Sequence, residues 1–181
     1  MQAFSKEVEK MEKYQIQFSG LKPGMHSFVF GLDYTFFKYY HFDDISDSNV
    51  RVLVEMEKED HMILFRFDID GTVNVLCDRC GDPLTEHLKG EQKLVVKLSD
   101  HNEEESEDVQ VVKESDGRFD ISQFIYEYIS LMLPAQRVHG VDGSGKSLCN
   151  RAVLKKLEEL KESHRPDPRW EVLKKLKEEN T

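Results

Sequence analysis

The chain runs to 181 residues with a net charge of −10; 39% of it is hydrophobic and 33% charged. That length can bury a core without disulfide staples, and no apolar run approaches the roughly 18 residues a membrane span needs. The acidic balance counts against a non-specific binder of bare nucleic acid, because phosphate contacts need clustered Lys and Arg.

Residues 1–13 read as an N-terminal extension without the apolar stretch of a secretory leader. "YQIQFSGLKPGMHSFVFGLD" then reads as two short strands around a Lys-Pro-Gly turn, with Tyr14, Ile16 and Phe18 alternating with polar residues. "YTFFKYYHF" is expected to be a short helix begun by Asp33, whose carboxylate can cap it. The clearest strands follow: Val50, Val52, Val54 and Met56 alternate on one face, then Ile63, Phe65, Phe67 and Ile69. Lys58, Glu59 and Asp60 make a charged turn, and Asp70-Gly71 reads as a second hairpin turn. "HLKGEQKLVVKLSD" and "VQVVKES" are further strands, separated by an acidic loop over residues 100–108 that is expected to be mobile.

Near Asp120 the period changes from 2 to 3.6. Asp120 or Ser122 can cap a helix carrying Phe124, Ile125, Tyr128, Ile129 and Met132, and Pro134 ends it. Asn150 caps a second helix through Val153, Leu154, Leu157 and Leu160, and "RWEVLKKLKEEN" makes a last one through Trp170, Leu173 and Leu176. Strands first and helices after them predict an α+β fold. A mainly antiparallel sheet or partly closed barrel over residues 14–119 carries a helical region over 120–181, in one domain.

Between those helices lies "HGVDGSGKSLCN". Gly140, Gly145, Lys146 and Ser147 match the phosphate-cradling pattern G-x-x-x-x-G-K-S/T. Such a loop needs a buried strand feeding it and a helix starting at its Gly-Lys-Ser end. "LPAQRV" is no such strand, and the helix starts late, at Asn150. A nucleotide site is therefore the weakest reading of this stretch, and a glycine-rich connector the plainest.

His139 and Cys149 flank that loop, and Cys77 and Cys80 form a C-x-x-C at the end of a strand. A C-x-x-C at a strand end puts two sulfurs on one side of a tight turn, within reach of one Zn²⁺. Two more ligands are needed, and His139 and Cys149 complete a closed, structural Cys3His set. Thiol redox chemistry at Cys77 and Cys80, or plain reduced cysteines, are the competing readings. Redox pairs usually sit at a helix N-terminus, which this segment does not announce. Three cysteines with a C-x-x-C suit a reducing compartment, hence the cytoplasm. The paired carboxylates Asp43-Asp44 and Asp68/Asp70 fall at turns or on solvent faces, so no enzymatic constellation stands out.

"CDRC" closing a β-rich half, "FDISQFIYEYISLMLPAQRVH", a nearby Cys149 and the late "DPRWEVLKKLK" together resemble the YceD family, the large ribosomal RNA subunit accumulation family of bacteria and plastids. The resemblance covers roughly residues 14–177, and the version here is similar to those of Bacteroides-type bacteria. It implies a non-enzymatic role in 23S ribosomal RNA accumulation, with a large-subunit component or an RNA-processing factor as partner. Many relatives carry more thiols after the Leu-Pro, where this chain keeps only His139 and Cys149. At net −10 the chain suits a basic protein partner better than bare RNA. The exception is the tail, where residues 151–181 hold nine basic and seven acidic residues, against 16 and 28 before them.

Overall fold

The computed structural model describes residues 12–99 and 109–162. The chain divides into two compact units: Met1–Leu76 with Pro83–Arg137, and Cys77–Asp82 with Val138–Thr181. The expected loop at 100–108 and the helix around Trp170 lie outside the described residues.

In the first unit, β2 (Gly24–Leu32), β3 (Asp47–Lys58), β4 (Met62–Leu76), β5 (Pro83–Leu98) and β6 (Val109–Val112) form one sheet in that order. All neighbours are antiparallel except β5 and β6, which run parallel. The sheet is open, with β2 and β6 as its edges. A two-stranded piece pairs β1 (Gln15–Gln17) with β7 (Arg118–Asp120). The fold is thus α+β, as the order of periodicities predicts.

Alternation decides which face is buried. Val50, Val52, Val54 and Met56 of β3, Ile63, Phe65, Phe67 and Ile69 of β4, and Leu94, Val96 and Leu98 of β5 all turn to one side. The other side is polar and solvated, as in antiparallel sheets packed on one face. Helix α1 (Tyr34–Tyr39) adds Phe36 and Phe37 to this core, and α2 (Ser122–Met132) adds Ile125 and Ile129. Phe65 stacks on Phe119 at 5.7 Å, and Phe67 meets Tyr128 edge-on at 5.3 Å. Burying each such ring contributes about 1.5–3 kcal/mol.

The first helix start follows the sequence, while at the second the N-cap position falls to Ile121, between the expected Asp120 and Ser122. Asp33 caps α1, accepting from the Thr35 N–H at 2.9 Å. Asp120 holds the start of α2, accepting from the Ser122 N–H at 2.8 Å and its hydroxyl at 2.6 Å. The Tyr40 hydroxyl donates in turn to Ser122 Oγ at 2.7 Å.

One turn expectation is overturned. Asp70-Gly71 makes no hairpin: β4 runs unbroken through it, pairing Gly71 with Val50 on one side and Leu88 on the other. Gly71 has φ +156°, and a Cβ there would lie 2.3 Å from the Asn49 carbonyl oxygen. The residue permits a close approach of two backbones, which only glycine allows.

The Tyr14 hydroxyl is buried and finds no hydrogen-bond partner among the described residues. Burial pushes the phenols of Tyr14, Tyr40 and Tyr128 above the usual tyrosine range. Each ionises less readily folded than unfolded. Its contribution is therefore present below the ordinary value of about 10 and is lost as pH rises beyond it. Tyr14→Phe removes an unsatisfied buried group, so it should raise stability by about 1 kcal/mol at neutral pH. It should also flatten the alkaline decline. Urea unfolding at pH 7 and pH 10.5 checks both, and a destabilised Tyr14→Phe protein contradicts them.

Candidate metal centre

The described part of the second unit has almost no apolar interior. Its buried residues are Cys77, Cys80 and Cys149, and none of them belongs to the hydrophobic cluster of the first unit. Among the described residues the buried side chains of this unit are therefore thiols, with the partly buried His139 beside them.

Its two segments are built to present these atoms. Cys77 ends the run of β4, and the chain turns tightly: the Gly81 N–H donates to the Cys77 carbonyl at 2.9 Å, and the Cys77 N–H to the Asp82 carbonyl at 2.9 Å. Gly81 sits at φ +76°, a conformation that side-chain-bearing residues avoid. The turn places Cys80 beside Cys77. Past the loop, Asn150 caps α3 (Arg151–Glu162), accepting from the Ala152 N–H at 3.0 Å. The Asn150 amide also donates to the Asp82 carboxylate at 3.2 Å, tying the helix start to the turn.

The four predicted residues come together. One ligand atom from each of Cys77, Cys80, His139 and Cys149 lies within 4.8 Å of every other, and the group can hold a metal ion. The Cys77 and Cys149 sulfurs are 3.8 Å apart, and Cys80 Sγ is 3.5 Å from His139 Nδ1. Bonds of about 2.3 Å to sulfur and about 2.0 Å to nitrogen make a tetrahedron with edges of about 3.5–3.8 Å. Both separations match such edges, and all three cysteines are free thiols. Donor chemistry and spacing thus both fit a four-coordinate ion.

The electrostatics suit thiolate. Burial alone pushes the Cys77 thiol up. The backbone N–H groups of His139, Cys80 and Arg79 and the Cys80 thiol outweigh it, bringing Cys77 down to about 6. A thiolate is the form that binds a metal.

The Gly-Lys-Ser loop is closed on itself. The Asp142 carboxylate accepts from the N–H groups of Ser144 and Lys146 at 2.9 and 3.0 Å and from the Ser144 hydroxyl at 2.6 Å. Backbone amides that a phosphate cradle would offer to its ligand are thus taken by an aspartate. Lys146 is exposed, and residues 134–140 form no strand. The reading of sequence missed Asp142, whose place two residues before Ser144 and four before Lys146 is an aspartate-turn pattern. It also missed Asp82. Lys146→Ala should change neither thermal stability nor nucleotide affinity; ATP protection lost in that variant would contradict this.

Cys77, Cys80, His139 and Cys149 form the one group of this kind among the described residues. His61 and His87 are exposed, as are Asp43, Asp68 and Asp70. Asp44 bonds Arg137 at 2.8 Å. His101 and His164 lie outside the described residues. Among the described residues no helix is long and apolar enough to cross a membrane.

An open α+β sheet unit and a small unit whose described residues cluster three cysteines and one histidine give the chain a candidate metal centre. The family model described as "Large ribosomal RNA subunit accumulation protein YceD" matches residues 65–177, and the chain belongs to this family. The match takes in all four centre residues and leaves out residues 14–64, which the resemblance read from sequence had included. No curated protein and no solved structure matches the chain.

Proposed function

We propose that this chain is a non-enzymatic factor in the cytoplasm that supports 23S ribosomal RNA accumulation, and hence large-subunit assembly, with a structural zinc ion held by Cys77, Cys80, His139 and Cys149. Family membership supports the role. The observation that carries the zinc assignment is the clustering of three thiols and one imidazole within 4.8 Å of one another, in a unit whose described residues bury nothing else. A closed four-ligand set has no open position for substrate, so the ion's part is to hold structure. The net charge of −10 favours a basic protein, either a large-subunit component or a processing factor, over bare RNA as the partner.

The low Cys77 thiol gives a second reading, thiol oxidoreductase chemistry at Cys77 and Cys80, its one specific support. Against it, no helix begins at either cysteine: the turn leads into strand β5. Thiol titration separates the two, since a redox pair forms a reversible disulfide and a zinc centre resists alkylation until chelated.

The role is tested by deletion. Loss of the gene should lower 23S relative to 16S ribosomal RNA, and the wild-type chain should restore the ratio. An unchanged ratio counts against the role.

A further inference from the structure

Sheet edges are where chains add strands, and proteins normally blunt them with charge, proline or shortness. The edge at β6 is short, with four residues. The edge at β2 is not blunted. It runs nine residues, "GMHSFVFGL", with no Lys, Arg, Asp, Glu or Pro. In an antiparallel pair every second residue turns its N–H and C=O away from its neighbour. Among the described residues, β2 has backbone partners only on β3. Its solvent face shows Met25 at 53% and Val29 at 58% exposure, while Phe28 and Phe30 are half-buried on the core face.

The surroundings say what fits. Register places Ser27, Glu55 and Arg66 in one row across the solvent face. Arg66 pairs with Glu57 at 3.1 Å, and Glu55 has no ion pair among the described residues. Glu55 also lines an open depression of about 580 Å³ whose charged residues are Glu55, Asp68 and Glu91 against Arg66 and Lys93, an acidic excess of one. A long basic side chain on an added strand opposite Ser27 passes over that small residue toward Glu55. Alternate side chains of the same strand turn to the other face, beside Phe28 and Phe30.

We propose that β2 is an acceptor edge, to which an extended segment of a partner protein, alternating basic and apolar residues, adds as a further strand. Strand addition draws affinity from main-chain hydrogen bonds and selectivity from alternate side chains. This rests on the reading of a basic protein partner above and gives that partner a place. A second copy of the chain is disfavoured, because it brings a further net −10 to the same edge.

The test uses the full chain and a labelled peptide of about ten alternating Val and Lys residues, matching the length of β2. Controls are the same residues in block order, alternating Val and Glu, and a backbone N-methylated version. The alternating basic peptide alone should bind and should slow hydrogen exchange over residues 24–32. Glu55→Gln should weaken binding about threefold, and Val29→Lys about tenfold through charge repulsion. Equal binding of the block-order or methylated peptide, no protection at β2, or indifference to both substitutions overturns the proposal. So does a concentration-dependent dimer abolished by Val29→Lys, which assigns the edge to a second copy. None of these readouts uses a ribosomal component. A normal rRNA ratio on deletion with the peptide effect intact removes only the earlier role, and the reverse removes only the edge.

Discussion

Cys149→Ser should release the metal and unfold the second unit while leaving the first unit's sheet intact. A serine hydroxyl is a far poorer zinc ligand than a thiolate, and three donors no longer close the site. The effect is large because, among the described residues, little else is buried in this unit. Its buried residues among those described are Cys77, Cys80 and Cys149 themselves. In small zinc modules, binding free energy is folding free energy, on the order of 10 kcal/mol. The first unit keeps its own core of Val, Ile and Phe side chains from β3, β4 and β5. Limited proteolysis should therefore cut the variant within 138–162 and spare the strands, and a chelator should do the same to the unaltered protein. A Cys149→Ser chain that keeps its metal and its protease resistance contradicts this.

Gly71→Ala should be the most damaging single methyl addition to the sheet. The new Cβ would sit 2.3 Å from the Asn49 carbonyl oxygen and 2.6 Å from the Val50 Cα, both backbone atoms that cannot rotate away. The φ of +156° adds strain for any residue with a side chain. Together these should cost about 3 kcal/mol. Gly31→Ala is the matched control. Its Cβ would meet nothing within 4 Å, so its effect should stay within about 0.5 kcal/mol. Urea midpoints of the two variants decide the point, and equal midpoints contradict it.

The same glycine marks where local sequence was a poor guide. Asp-Gly is a turn signal over two residues, but β4 is paired on both sides, to β3 and to β5, and those ladders carry the strand through the signal. Where periodicity was long, as over Val50–Met56 and Ile63–Ile69, strand and buried face were both legible. Helix starts were legible too, because Asp33, Asp120 and Asn150 act through side-chain bonds to amides two residues on. The clustering of the four residues was legible because the chain has three cysteines and one of its histidines flanks the same loop as the third. Its supporting contacts were not. The Asp82 carboxylate meets Asn150 across 68 residues, a separation that no local pattern encodes. The grouping of Cys77–Asp82 with residues from Val138 onward is equally non-local. The open edge at β2 was hidden for the same reason: strand order, and hence which strand lies outermost, is a property of the assembled sheet.

Zinc K-edge X-ray absorption on the protein purified without added metal tests the account most directly. It predicts about one zinc per chain, with three sulfur neighbours near 2.3 Å and one nitrogen near 2.0 Å. Metal-free protein that is fully folded over residues 138–162, or a zinc shell dominated by oxygen, contradicts it.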